Sequence, residues 1–229
     1  MPWALAEPEE VPVPDERTRQ ELFRGLPLGL LYSGNFGRAH SFDEFLALAR
    51  LLRSTGVHFA FGVRGNRAEA LRSALTREDS NVTLAGFAPE GELLKRLAAA
   101  DIHLVSLRPS WTGLVVPSKF FGALAAGRPV IFAGSHDSAI AHWIKEFQVG
   151  WVLDAASRDT VAAELRALAA EPARLRQLQR HCHTIYHREF SRRQVADRWD
   201  KELRDLLRSP EDASPARGAA GSAVQQHCI

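Results

Sequence analysis

The sequence predicts an α/β domain, a parallel sheet of about six strands flanked by helices and followed by a helical C-terminal segment. Three observations predict it. From residue 28 to residue 153, short apolar runs closely followed by Gly, Pro, Ser or Asp alternate with helical patterns, as when crossover helices cover both faces of a parallel sheet. After residue 153 only the helical period continues. Of 229 residues, 45 % are apolar and 24 % charged, the balance of one globular domain with tails rather than of a disordered or membrane chain.

The elements follow in order. Prolines at positions 2, 8, 12, 14 and 27 bar continuous helix or a central strand, so residues 1–27 read as a linker with one short helix at 16–23. Strands are expected at 28–33, 59–63, 82–85, 102–106, 130–133 and 151–153. Ser41 and Glu44 have the spacing of a capping box ahead of Phe45, Leu46, Leu48, Ala49 and Leu52, an apolar face at helical spacing. Leu93, Leu94, Leu97 and Ala98 form the next such face, and Pro117-Ser118-Lys119 opens a helix that stops at Gly127. Helices are then expected at 159–170, 172–189 and 191–208, the last with Ser191 and Gln194 as a second capping box and with Val195, Trp199, Leu203, Leu206 and Leu207 on one stripe. Residues 28–208 would be the domain and 209–229, rich in Ala, Gly, Ser and Pro, a disordered tail.

Composition narrows the function classes. A net charge of +2 with interspersed signs does not make a nucleic-acid surface. No apolar run approaches the ~18 residues of a spanning helix, and the start lacks a signal-peptide pattern, so a cytosolic protein is expected. Cys182 and Cys228 are expected to be free thiols.

In an open parallel sheet, ligands bind beyond the carboxyl ends of the strands, and four loops there carry candidate residues. The loop 33–40 holds Gly34, Gly37, Arg38 and His40 before a helix start, where backbone N–H groups and a guanidinium suit an anion; a turn needing positive φ is the equal alternative. Arg64 follows the second strand and could face the same cleft, although a solvated arginine is the plainer reading. Gly86-Phe87-Ala88-Pro89 follows the third, where Phe87 is either a contact for a base edge or simply core. The loop 107–117 runs through Trp111, Thr112, Gly113 and Leu114 to Ser118 and Lys119, where a hydroxyl, an ammonium and free N–H groups would suit a diphosphate. The plain alternative makes Ser118 a cap and leaves Lys119 in water.

Together the segments LLYSGNFGRAHSFDEFLALARLL, NVTLAGFAPEGELLKRLAAADIHLVSLRPS and GLVVPSKFFGALAAGRPVIFAG resemble the nucleotide-sugar-binding C-terminal domain of family 4, GT-B glycosyltransferases. Within that family the resemblance is to the bacterial surface-polysaccharide branch, over about residues 28–207, and P-S-K-x5–6-A-x-G-R-P-V is its most specific block. It implies a Rossmann-like half of a GT-B fold that binds a UDP- or GDP-sugar for transfer to a lipid-linked or saccharide acceptor. The diphosphate would lie at Gly34, Gly37, Arg38, Ser118 and Lys119, the base against Phe87 and Ala88, and the sugar along Trp111, Thr112, Gly113 and Leu114. Residues 1–15 would be the segment joining two domains. Acceptor site and catalytic histidine would lie on an N-terminal domain absent from this chain, supplied in cis or in trans, so no catalytic residue is expected here and the isolated chain should be inactive. The location implied is cytoplasmic, at most peripheral at the inner face of the plasma membrane.

The sequence departs from the family's E-x7-E pattern, with Leu114 and Gly122 in place of its glutamates, and Asn35 and His40 stand where commoner members carry Arg and Lys. Alternatives are a non-catalytic half or fragment needing a partner, and another nucleotide-binding Rossmann-like protein; a dinucleotide oxidoreductase is disfavoured by the missing G-x-G-x-x-G. His181, Cys182, His183 and His187 form an H-C-H-x3-H run in which His183 and His187 have the i, i+4 spacing of one helix face, but no fourth ligand is apparent where structural zinc needs four, so no metal and no cofactor is expected.

Overall fold

In the computed structural model, residues 3–89 and 91–207 are described. Strands β1 (Leu28–Asn35), β2 (Val57–Arg64), β3 (Val82–Ala85), β4 (Ile102–Ser106), β5 (Val130–Ala133) and β6 (Gly150–Leu153) form one sheet. They run parallel in the order β3-β2-β1-β4-β5-β6. The order reverses between β1 and β4, which opens a crevice at their carboxyl ends.

Alternation along the strands sorts the side chains between two helical layers. Leu30 and Tyr32 of β1 join a core with Phe45 and Leu48 of α2 (Asp43–Leu51), Leu71 of α3 (Ala68–Ala74) and Leu165 of α7 (Arg158–Ala170). Leu31 instead meets Phe23 of α1 (Glu16–Phe23) and Ala99 of α4 (Leu93–Ala99). A third cluster joins Phe120 and Phe121 of α5 (Lys119–Ala125), Ile140 and Ile144 of α6 (Ala139–Phe147), and Cys182 and Ile185 of α8 (Pro172–Ile185). Each such fully buried Leu, Ile or Phe contributes roughly 1.5–3 kcal/mol. A π-helical turn, Tyr186–Phe190, leads into α9 (Arg192–Leu207).

The six expected strands are all present. Three have the expected bounds, and β1 and β2 continue to Asn35 and Arg64, carrying the backbone further toward the crevice. Helix α6 was not read from the sequence; it is capped by Ser138 Oγ, which accepts from Ala141 N–H. The first capping box does not form. Phe42 occupies the N-cap of α2, the Ser41 hydroxyl donates to Asp43 Oδ2 at 2.6 Å, and Glu44 pairs with Arg158 at 2.6 Å. A stronger, charge-assisted partner has taken Glu44. At the second box, Ser191 Oγ accepts from Gln194 N–H at 3.4 Å.

Residues 3–14 lie along the domain as an extended strap. Ala4 is buried and donates its N–H to the Tyr186 hydroxyl, and the Pro12 carbonyl accepts from the buried Arg128. The strap belongs to the first compact unit, residues 1–195. The second unit begins at Ala196 with the later turns of α9, held internally by an Arg204–Asp200 ion pair at 2.8 Å. Of the apolar stripe, Val195 is buried in the first unit, whereas Trp199, Leu203, Leu206 and Leu207 of the second are exposed. The expected disordered tail at 209–229, with Cys228, lies outside the described residues. Cys182 is a free, buried thiol whose pKa burial pushes up.

Candidate functional site

At the carboxyl end of β1, Gly34 takes φ +131°, where a side chain is strained. A Cβ there would stand 2.7 Å from Cε of Lys119. The close approach lets Lys119, the first residue of α5, lie across the strand end. Its Nζ donates to the Asn35 carbonyl at 3.2 Å and stands 5.3 Å from the centre of the Tyr32 ring. Burial lowers the pKa of this amine from its ordinary value. Ser118 occupies the N-cap position in helical conformation and makes no side-chain cap bond. The structure thus shows Lys119 packed at the strand end and Ser118 without the capping bond of its plainer reading.

Gly34, Ser118 and Lys119 line a cleft of about 310 Å3 whose walls are Phe87, Leu93, Leu94 and Leu97, with the strap residues Trp3 and Leu5 along the rim. No carboxylate lines it among the described residues. Phe87 is 42 % exposed rather than core, and the Arg64 guanidinium lies 4.0 Å over its ring, a cation–π contact. Half-buried Arg96 donates to the Gly86 carbonyl at 3.2 Å, and a Cβ on Gly62 would stand 3.1 Å from its Nη1. Desolvation lowers the Arg96 pKa, against raising contributions from Glu21 and Glu92.

His40 packs beside this point. Its Nδ1 donates to the Ser106 carbonyl at 2.7 Å, which leaves Nε2 as the acceptor of the neutral ring. Burial first and the Lys119 charge second lower its pKa; the bond to Ser106 works the other way.

Other expected residues lie apart from the cleft. Arg38 is exposed, Gly37 is half-buried without a positive φ, and Ala88 is half-buried; none lines the cleft. Thr112, Gly113 and Leu114 line a neighbouring hollow of about 290 Å3 against Asp137, Ser138 and Ala139 at the start of α6. Trp111 packs on the third core cluster instead. His136 pairs with Asp154 at 2.9 Å, and that contact heads the causes that bring the Asp154 pKa down to about 2.

The strap residues Trp3 and Leu5 line the cleft without any marking in the sequence, while Arg64 and Arg96 stand beside it through Phe87 and Gly86 rather than in its lining. Arg96 follows Leu93 by three residues, the one signal that it flanks the cleft-lining helix face; nothing in the spacing marks Trp3. Among the described residues, no three His, Cys, Asp or Glu side chains gather as metal ligands, and no helix is long and apolar enough to cross a membrane. The site is a positively charged slot with apolar walls, suited to an anion carried on a flat apolar group.

Comparison with known proteins gives concordant results. The family model described as "Glycosyl transferases group 1" matches residues 27–171. A probable glycosyltransferase of Pseudomonas aeruginosa, WbjE, is 30 % identical over 121 residues, covering 52 % of this chain and 30 % of that protein. WaaG, a glycosyltransferase involved in lipopolysaccharide biosynthesis, aligns with TM-score 0.61 and 20 % identity over 82 % of this chain and 51 % of its own. A mutant of S. aureus TarM, solved with fondaparinux, alpha-GlcNAc-glycerol and UDP, aligns with TM-score 0.61 and 14 % identity over 76 % of this chain and 34 % of its own. The chain spans about a third to a half of these relatives, and the structural likenesses establish the fold.

Proposed function

The chain belongs to the group 1 glycosyl transferases, and from that premise we propose that this GT-B domain is the donor-binding half of its enzyme, holding a UDP- or GDP-sugar. The observation that carries the reading is Lys119, a desolvated amine held at Gly34 over the β1 end, in a cleft lined by no carboxylate among the described residues. A diphosphate supplies the missing negative charge.

In this reading Lys119, the Ser118 hydroxyl and the Gly34 backbone hold the diphosphate, and exposed Arg38 closes onto it from the loop shared with Gly37. The base lies beside Phe87 and Ala88, and the sugar extends toward Thr112, Gly113 and Leu114, with Trp111 behind them. Charge developing on the leaving diphosphate is stabilised by these fixed cations, so the donor cleft needs no metal. The acceptor is a lipid-linked or saccharide molecule of polysaccharide biosynthesis, a reading supported by the likeness to WaaG. The enzyme would work in the cytoplasm, peripherally at the inner membrane face.

A second domain, in cis or in trans, completes the enzyme, consistent with the fraction of each relative that the chain spans. The isolated chain is expected to bind UDP or GDP weakly and to turn over little or no nucleotide sugar. Calorimetry with UDP, GDP, ADP and NAD tests this; tighter binding of NAD than of either UDP or GDP would overturn it. Lys119→Ala is expected to weaken the diphosphate form more than the nucleoside, whereas equal losses would remove Lys119 from the phosphates.

A further inference from the structure

Far along the chain from the donor loops, the strap meets the end of α8 in an unusual arrangement. His183 Nε2 and His187 Nε2 stand 3.1 Å apart, and each is 3.0 Å from the Pro8 carbonyl oxygen. The three atoms therefore form a nearly equilateral triangle. In the neutral state the two Nε2–H groups can both donate to the one carbonyl oxygen, which crowds their hydrogens side by side; with the Nε2 protons gone, two ring lone pairs and a carbonyl oxygen converge on one point.

We propose that His183, His187 and the Pro8 carbonyl form a three-point site for a divalent transition metal, which clasps the strap to α8. An ion at the usual zinc–imidazole distance of about 2.1 Å from all three would stand roughly 1 Å out of their plane, with ligand–metal–ligand angles of about 90°. That leaves one side open to water. Imidazole nitrogen suits Zn²⁺, Ni²⁺ and Cu²⁺ rather than Mg²⁺ or Ca²⁺. The third ligand comes from a backbone carbonyl 175 residues before His183, so the histidine spacing alone could not reveal it.

The neighbouring groups are already engaged. Glu7 Oε1 accepts from the Tyr186 hydroxyl and from Arg192 N–H, both at 2.7 Å. Glu7 thus pins the strap one residue before the proposed ligand and leaves the two imidazoles to the metal. The strap also carries Trp3 and Leu5 to the rim of the donor cleft, so the clasp fixes one border of that cleft without entering it. The inference is independent of the donor assignment.

The test uses the untagged full chain. Zinc calorimetry is expected to show one more bound ion in the wild type than in the double variant His183→Gln/His187→Gln, which also discounts any ion held by His227 or Cys228. With Cu²⁺, electron paramagnetic resonance is expected to show two imidazole nitrogens in the wild type and one in either single variant. Cleavage after the exposed Glu9 and Glu10 by a Glu-specific protease is expected to slow several-fold with Zn²⁺ in the wild type alone. Equal zinc stoichiometry in a folded double variant would overturn the site. A wild-type copper spectrum without a two-imidazole pattern would do so even if the variants failed to fold.

Discussion

Gly34 and Gly37 look interchangeable in the loop that holds them, yet the structure gives them different demands. Gly34 combines φ +131° with a Cβ position 2.7 Å from Lys119 Cε, whereas nothing lies within 4 Å of a Cβ on Gly37. Gly34→Ala is therefore expected to cost ~1–3 kcal/mol of stability and to displace Lys119, lowering nucleotide affinity as Lys119→Ala does. Gly37→Ala is expected to leave both within error. Denaturant unfolding with UDP calorimetry on the two variants checks the contrast. At this scale the sequence was informative about chemistry and silent about meetings. Gly34, Ser118, Lys119 and Phe87 were legible because glycine, hydroxyl, ammonium and aromatic groups followed apolar runs. That Lys119 lies against Gly34, and Arg64 on Phe87, depends on the crossover bringing distant loops to one sheet edge, which no local pattern encodes.

At the scale of elements, apolar period specified strands and most helices, while polar detail was decided by tertiary competition. Glu44 has the spacing of a capping residue but pairs with Arg158, 114 positions away. Two strands carry a pH dependence. His58 of β2 and His103 of β4 are buried, and desolvation leads the causes that bring each imidazole from 6.5 down to about 4. The unfolded chain takes up these protons near pH 6.5 and the folded chain only near pH 4, so stability is full above about pH 6.5 and falls as the pH drops through that window. Each site is expected to cost about 2 kcal/mol at pH 5. Urea midpoints at pH 7.5 and pH 5 should show the decline, and His103→Gln should flatten it. Arg128 is a second case: only 1 % exposed, it donates to the carbonyls of Pro12 at 3.0 Å and Ala98 at 2.7 Å, and burial lowers its pKa to about 10. Arg128→Met strands two acceptors and is expected to cost ~1–3 kcal/mol, with faster proteolysis of the strap as its local readout.

For the molecule as a whole, the reversal of strand order between β1 and β4 places a charged cleft where an α/β sheet has room for one. On the donor-half reading, adding an acceptor-binding domain as a separate chain is expected to give sugar transfer where this domain alone only binds nucleotide. If the mixture stayed inactive while a fused form was active, the domains would need a covalent link. Residues 1–27, read from their prolines as a linker, follow the domain surface over the described part, and that course has a practical consequence. Trp3 is 39 % exposed and stands on the cleft rim, so its indole is a built-in optical gauge of occupancy. A nucleotide entering the cleft should alter the emission of this tryptophan by shielding or quenching it, and subtracting the signal of Trp3→Phe would isolate that change from the other four indoles.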